Sequence, residues 1–417
     1  MGDNSVGFAK TKMINILELI SISYGLIAGF ITLWLFFLGI NKFLFFVPTI
    51  LLPVLTICLP AILILYKKRK IIIFPKINII LILVVGGIFL WSLSQTIIWP
   101  PSEWDALALY DYRAVRFFET KSLAQSVLTN YLPLVTYNYG YPFFTSLLHA
   151  FVYLLGGSNP QFIYSLIYLA FIICFYYCLA RRTSKIISML VTLVLATTPS
   201  FIYQSTVSYT NLFYSFYLGM GTIYLWEWIA DRKNSYFAIS AIFLGLSTFI
   251  RSQEPFWIMN LFFVFIYCLK VKEYKKIIVY GVIFFLIRQP WIIYRDSVYA
   301  SVPNLFQDPY RFSIQIGKIF EVIPYVISNL ASDWKIIFLL LIFILILGTK
   351  QLIKFWYITG LIFLDFLIVF LGTYYLSINF DWWNRIGGSA VRMSMFFTPL
   401  ILYAVAVLFF PDKRNNA

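Results

Sequence analysis

Apolar runs of about twenty residues recur from one end of this chain to the other, and nothing else in the sequence constrains its fold as strongly. Each run is long enough to cross a bilayer core of roughly 30 Å. In lipid every backbone N–H and C=O must be satisfied within the chain, so such runs are expected to fold as helices. We place spans near residues 14–40, 43–66, 77–98, 161–180, 186–204, 211–230, 236–250, 255–270, 276–294, 334–349, 353–377 and 391–410. The expected fold class is therefore all-α integral membrane, with about 12 transmembrane helices and amphipathic helices on the outer face. Charged residues make up 12% of the chain, against roughly 25% in a soluble domain. No long polar stretch interrupts the runs, so residues 1–417 read as a single polytopic membrane domain. The first run lacks a small-residue cleavage pattern and reads as a retained helix.

The net charge of +15 would suit a nucleic-acid partner, but its distribution points elsewhere. With the N-terminus in the cytoplasm, the inward segments carry 20 of the 32 basic residues, including Lys67–Lys70, Arg181, Arg182 and Lys276, against five acids. The outward segments carry 12 basic residues against ten acids, which is nearly neutral. Basic residues on the cytoplasmic side set topology, so the excess is a topology signal and no nucleic acid is needed. It places both termini inside a cytoplasmic membrane, with membrane lipids as the constant partner. The four cysteines, Cys58, Cys174, Cys178 and Cys268, all fall inside apolar runs, where a thiol packs as a small apolar residue. A single histidine, His149, rules out a His-cluster metal site; on an apolar helix it reads as a packed residue.

Polar chemistry gathers on the outward side. Two outer segments are long, 99–160 and 296–333, and a third, 377–390, is short but dense in polar and aromatic residues. Glu18 and Asp365 are the only acids well inside apolar runs, which is sparse for an ion or proton pathway, and no internal repeat of the transporter kind is visible. In the first outer segment Pro100-Pro101 stops the preceding helix. Ser102-Glu103-Trp104-Asp105 then opens an amphipathic helix, Ala106–Phe118, suited to the interface plane. A second outer helix is expected over Tyr141–Gly156.

These residues carry a resemblance. Trp104-Asp105-Ala106-Leu107-Ala108 followed by Arg113-Ala114, then Tyr139-Gly140-Tyr141-Pro142, Phe249-Ile250-Arg251-Ser252-Gln253-Glu254 and Arg385…Arg392 resemble, in order and placement, motifs of the membrane-embedded C-fold glycosyltransferases. The protein O-mannosyltransferases and the lipid A aminoarabinose transferases are the nearest in kind. The resemblance runs from about Trp91 to the C-terminus. Asn211 stands where many relatives have an aspartate, so the second carboxylate of a two-acid arrangement is missing here.

The resemblance implies transfer of a sugar from a polyprenyl phosphate to a hydroxyl acceptor with inversion. Such a displacement needs a carboxylate to take the acceptor proton and cations to stabilise the leaving phosphate. Asp105 and Glu103 are the candidate catalytic carboxylates. Arg392, Arg385, Arg295 and Arg288 are the candidate donor-phosphate ligands, and Arg251, Glu254, Asn211 and Tyr141 the substrate-binding set. A divalent cation is compatible with this set and not required by it. Plainer roles compete for the same residues. Ser102-x-x-Asp105 fits a capping box, Arg251 and Glu254 fit a local ion pair, and Arg288 and Arg295 fit interface snorkelling. Arg385 and Arg392 beside Trp382-Trp383 fit an aromatic belt. Asp111, six residues after Asp105, is expected on another helix face, solvated or paired with an arginine. A transporter or flippase of a lipid-linked precursor, and a non-catalytic subunit of an envelope assembly, remain the alternative functions.

Overall fold

The computed structural model describes residues 15–56, 79–123, 141–301, 313–347, 350, 353, 355–381, 383–385 and 389–412. Lys67–Lys70, Tyr139, Gly140 and the side chain of Arg385 lie outside the described residues.

The elements, in order, are α1 (Ile16–Ile40), α2 (Val47–Thr56), α3 (Ile79–Ile98), a π-helical turn (Ala106–Asp111), α4 (Tyr112–Thr120), α5 (Phe144–Leu154), α6 (Phe162–Arg182), α7 (Lys185–Ala196) and α8 (Pro199–Gln204). Then come α9 (Thr210–Asp231), α10 (Asn234–Ser247), α11 (Glu254–Lys270), α12 (Tyr274–Ser301), α13 (Ile316–Trp334) and α14 (Ile336–Leu347). The chain closes with α15 (Trp356–Asn379), a 3-10 turn (Trp383–Arg385), α16 (Ser389–Ser394) and α17 (Thr398–Phe409). No strand forms among the described residues, so the chain is all-α as expected.

Among the described residues five helices are long and apolar enough to cross a membrane: α1, α3, α6, Tyr274–Ser297 of α12, and Ile358–Asn379 of α15. A sixth appears if α13 and the start of α14, bent by 118° at Lys335, count as one broken span. The twelve apolar runs thus do not become twelve long helices. Pro199 splits the run over 186–204 into α7 and α8, because proline cannot continue a helix. Helices α10 and α17 are 14 and 12 residues long, short of the ~20 a full crossing takes. The outer segment 296–333, read as a loop, contains most of α13. The spanning helices leave apolar ridges exposed, such as Leu83, Leu90 and Ile97 on α3. Ridges of that length are a liability in water and are satisfied by lipid.

Helix α9 is the axis of the bundle, with every residue from Thr210 to Trp228 buried. A helix apolar all round belongs inside protein, and α10, α6 and α17 enclose it. Helix α1 meets α9 at Gly25 and α10 at Gly29. A Cβ at Gly25 would sit 2.6 Å from Phe216, and one at Gly29 2.5 Å from Leu246. This small-x-x-x-small spacing lets helix backbones approach in lipid. The Tyr217 hydroxyl uses that approach to donate to Gly25 O at 2.6 Å.

One end of the bundle is closed by buried charge. Arg181 lies 2.7 Å from Glu18 and 3.0 Å from Glu227. Arg182 lies 2.9 Å from both Glu227 and Asp231. Tyr224 donates to Glu18 at 2.6 Å, and Tyr403 donates to Glu227. Glu18 is thus a structural partner, not an isolated intramembrane charge. The network joins the start of α1 to the ends of α6 and α9, and α17 contributes Tyr403. Asp412 N–H donates to Arg182 O at 3.0 Å, so the described C-terminal residues lie at the same end.

Candidate functional site

Asn211 opens α9 at the end opposite the charge network, about 24 Å from Glu227 by helical rise. Around that end the structure gathers most of the residues singled out from the sequence.

Asp105 directly precedes the turn Ala106–Asp111, which is π-helical and not the α-helix expected. Its i→i+5 bonding shows in Tyr112 N–H donating to Leu107 O. π-turns are rare and concentrate at functional sites. The Asp105 side chain makes no cap bond to the π-turn itself. Instead Asp105 Oδ2 faces Arg392 Nη1 of α16 at 3.6 Å. That distance is an ion pair but longer than a hydrogen bond, and both side chains remain about a quarter exposed. Ala106, Leu109 and Tyr110 turn inward onto Val207 and Tyr209, with Tyr141 packed alongside.

Tyr209, in the link between α8 and α9, sits among these charges, and the Arg392 guanidinium lies 5.9 Å from its ring. Burial, and then the Asp105 and Glu103 carboxylates, push its phenol up to about 12, outweighing Arg392. Glu103 lies beside the Tyr203 hydroxyl. No group of three metal-ligating side chains forms among the described residues.

Arg251 comes next, and its pairing differs from the sequence reading. The local pair with Glu254 is not made. Glu254, the first residue of α11 and immediately before Pro255, pairs instead with Arg288 of α12 at 3.0 Å. Arg251 donates to Asn211 Oδ1 and, at 3.2 Å, to Thr210 Oγ1. Its guanidinium lies 5.7 Å from the Tyr141 ring and 5.6 Å from Phe396. Tyr110 donates to or accepts from Thr210 at 3.3 Å, bridging the Arg251 and Asp105 halves. Among the described residues Arg251 has no carboxylate partner, and its Nε is buried without a hydrogen bond. The Oε1 of Gln253 and the Oγ of Ser208 are also buried and unpaired. Asn211 therefore orients a cation where an aspartate would neutralise it.

Arg295 pairs with its neighbour Asp296 at 2.9 Å. Arg385 is on the 3-10 turn two residues past Trp383, whose ring packs on Tyr325. Among the described side chains, the phosphate candidate paired with Asp105 is Arg392.

Two groups, the buried Arg113 and the half-buried Asp111, fix the turn from behind. Arg113 donates to Tyr141 O at 3.2 Å and lies 5.1 Å from the Phe143 ring, which seats Tyr141. Asp111 is neither solvated nor paired with an arginine. It accepts from Tyr153 at 2.5 Å and lies 3.3 Å from His149 Nδ1, while His149 Nε2 meets the Tyr164 hydroxyl at 2.9 Å. His149 is packed, as expected, but as the centre of a hydrogen-bonded chain. Burial alone would raise the Asp111 carboxyl. The His149 and Tyr153 hydrogen bonds outweigh it and hold the group below the usual aspartate range. A depressed folded value adds stability above the unfolded value of about 4 and loses it as pH falls through the folded one. We expect an acid limb below about pH 4 in thermal melts, flattened in Asp111→Asn; an unchanged limb would show that the carboxylate is not held there.

Tyr209, Tyr203, Thr210 and Tyr153 were not singled out from the sequence. A Ser208-Tyr209-Thr210-Asn211 link between two apolar runs was the available signal, and only Asn211 was taken from it. No protein-family profile, no curated protein and no solved structure matches the chain.

Proposed function

We propose that this chain is an inverting glycosyltransferase that moves a sugar from a polyprenyl-phosphate donor to a hydroxyl acceptor. The observation that supports it most is the meeting of the Asp105 carboxylate with Arg392, far apart in sequence, beside the uncompensated Arg251. Asp105 takes the acceptor proton as the new glycosidic bond forms. The sugar–phosphate C–O bond breaks, and the leaving phosphate gains negative charge that Arg251 and Arg392 stabilise. A loose 3.6 Å contact leaves Arg392 able to turn from Asp105 to a phosphate oxygen. Tyr141, Tyr209 and Tyr203 supply aromatic walls suited to the apolar faces of a sugar ring. In this reading all twelve apolar runs lie at membrane depth, with α10 and α17 shielded from lipid by their neighbours.

The orientation that goes with it puts the Asp105 end outside a cytoplasmic membrane and the Glu227 end, with both termini, inside. Cysteines introduced at Ser102 and Lys185 should label from opposite sides with a membrane-impermeant maleimide; labelling from one side would overturn it. For the activity, protein in liposomes should release polyprenyl phosphate from a polyprenyl-phosphate sugar when given a hydroxyl acceptor. Turnover of a nucleotide sugar without lipid would refute the donor assignment.

A further inference from the structure

Helix α15 seats one face in the bundle, along Leu361, Asp365, Val369 and Thr373, spaced four residues apart. Asp365 is 1% exposed, and neither carboxylate oxygen has a hydrogen-bond partner. It lies nine residues into the helix, about 14 Å from the Trp356 end by helical rise, so it is deep in a segment long enough to span. Apart from Lys270, the exposed last residue of α11, the charged groups on the helices packed against α15 are engaged elsewhere. Glu254 of α11 pairs with Arg288, and Lys318 of α13 with Glu321. Asp333 of α13 accepts from Ser200 at the start of α8, and Arg392 of α16 faces Asp105. Tyr403 of α17 donates to Glu227. The Tyr214 phenol of α9 lies within electrostatic reach of Asp365 and is itself bonded to Gln253 O at 3.2 Å.

Glu18 makes the contrast. It is equally buried, but Arg181 and Tyr224 compensate its charge. A bare carboxylate without such partners is too costly in an apolar interior and takes up a proton instead.

We propose that Asp365 is an intramembrane proton-binding site, loaded in the structure described and exchanging its proton as α15 moves against α11 and α13. Loss of the proton would place an uncompensated charge on the packed face between Leu361 and Val369. The seating of α15 and the occupancy of the site are therefore linked. The inference does not rest on glycosyl transfer and stands or falls without it.

A lipid-soluble carbodiimide tests it, because it adds a protonated carboxyl across its C=N bond to give an acylurea and leaves an ionised one alone. Protein in liposomes is treated with dicyclohexylcarbodiimide across a pH series and the adduct located by peptide mass spectrometry. Asp365 should be labelled at least about tenfold more than Glu18, with labelling that falls as pH rises and is absent from Asp365→Asn. Asparagine mimics the neutral acid in size, so that variant should fold normally. No adduct on Asp365 at acid pH, labelling independent of pH, or labelling no greater than at Glu18 would each overturn the proposal in the unmutated protein.

Discussion

Asp105→Asn is expected to lower the rate of glycosyl transfer by roughly 100-fold or more, the usual contribution of a positioned general base. The structure separates this from a stability effect. Asp105 makes no cap bond to the π-turn, and its contact with Arg392 is long and partly exposed. Losing such a pair costs about 0–1 kcal/mol, so the variant should melt close to the parent protein. Asp111→Asn is the internal control. It alters a carboxylate on the same turn that is tied to Tyr153 and His149 and does not face Arg392. It should lose stability in acid and keep most of its activity. Equal losses of activity in the two variants would remove Asp105 from the mechanism.

The second large effect belongs to the far end of the bundle. Glu227 is fully buried and accepts from Arg181, Arg182 and Tyr403 at once. Glu227→Ala would leave two buried guanidinium groups short of their counter-charge. Removing one partner of a buried pair typically costs 3–5 kcal/mol, a large fraction of the 5–15 kcal/mol that holds a typical domain folded. We expect Glu227→Ala to give little monodisperse protein after extraction, or a melting midpoint far below that of the parent. The loss should appear whether or not activity is assayed, because no group of the Asp105 site touches Glu227. A Glu227→Ala protein with parental yield and melting temperature would show that the network contributes little.

How much of this was legible in the sequence follows from which forces are local. The helix ends were legible, because apolar length and flanking charge are properties of a short window. Helix α1 was expected from residue 14 and starts at Ile16; α6 was expected from 161 and starts at Phe162. The crossing count was less so. Whether a fourteen-residue helix such as α10 faces lipid or protein depends on neighbours far along the chain. Side-chain partners were the least legible. Glu18 read as an isolated intramembrane acid because Arg181 lies 163 residues away. Glu254 read as Arg251's partner because spacing reports neighbours on one helix and cannot see Arg288 on the next. The meeting of Asp105 and Arg392 was anticipated only through a resemblance, since no local pattern links the two positions. The π-turn has no composition of its own. Ala106–Asp111 is as good an α-helix as its sequence can be, and the burial of Tyr110 and the ties on Asp111 at its far end accompany the wider winding.

The most direct measurement is the position of the phosphate in a structure of the protein with a bound polyprenyl-phosphate sugar. We expect the phosphorus within charge-assisted hydrogen-bonding reach of Arg251 and Arg392, with their nitrogens about 2.7–2.9 Å from its oxygens, and Asp105 turned toward the acceptor side of the anomeric carbon. A phosphate held by Arg288 or Arg295, with Arg251 still bound only to Asn211 and Thr210 and Asp105 still facing Arg392, would contradict the account.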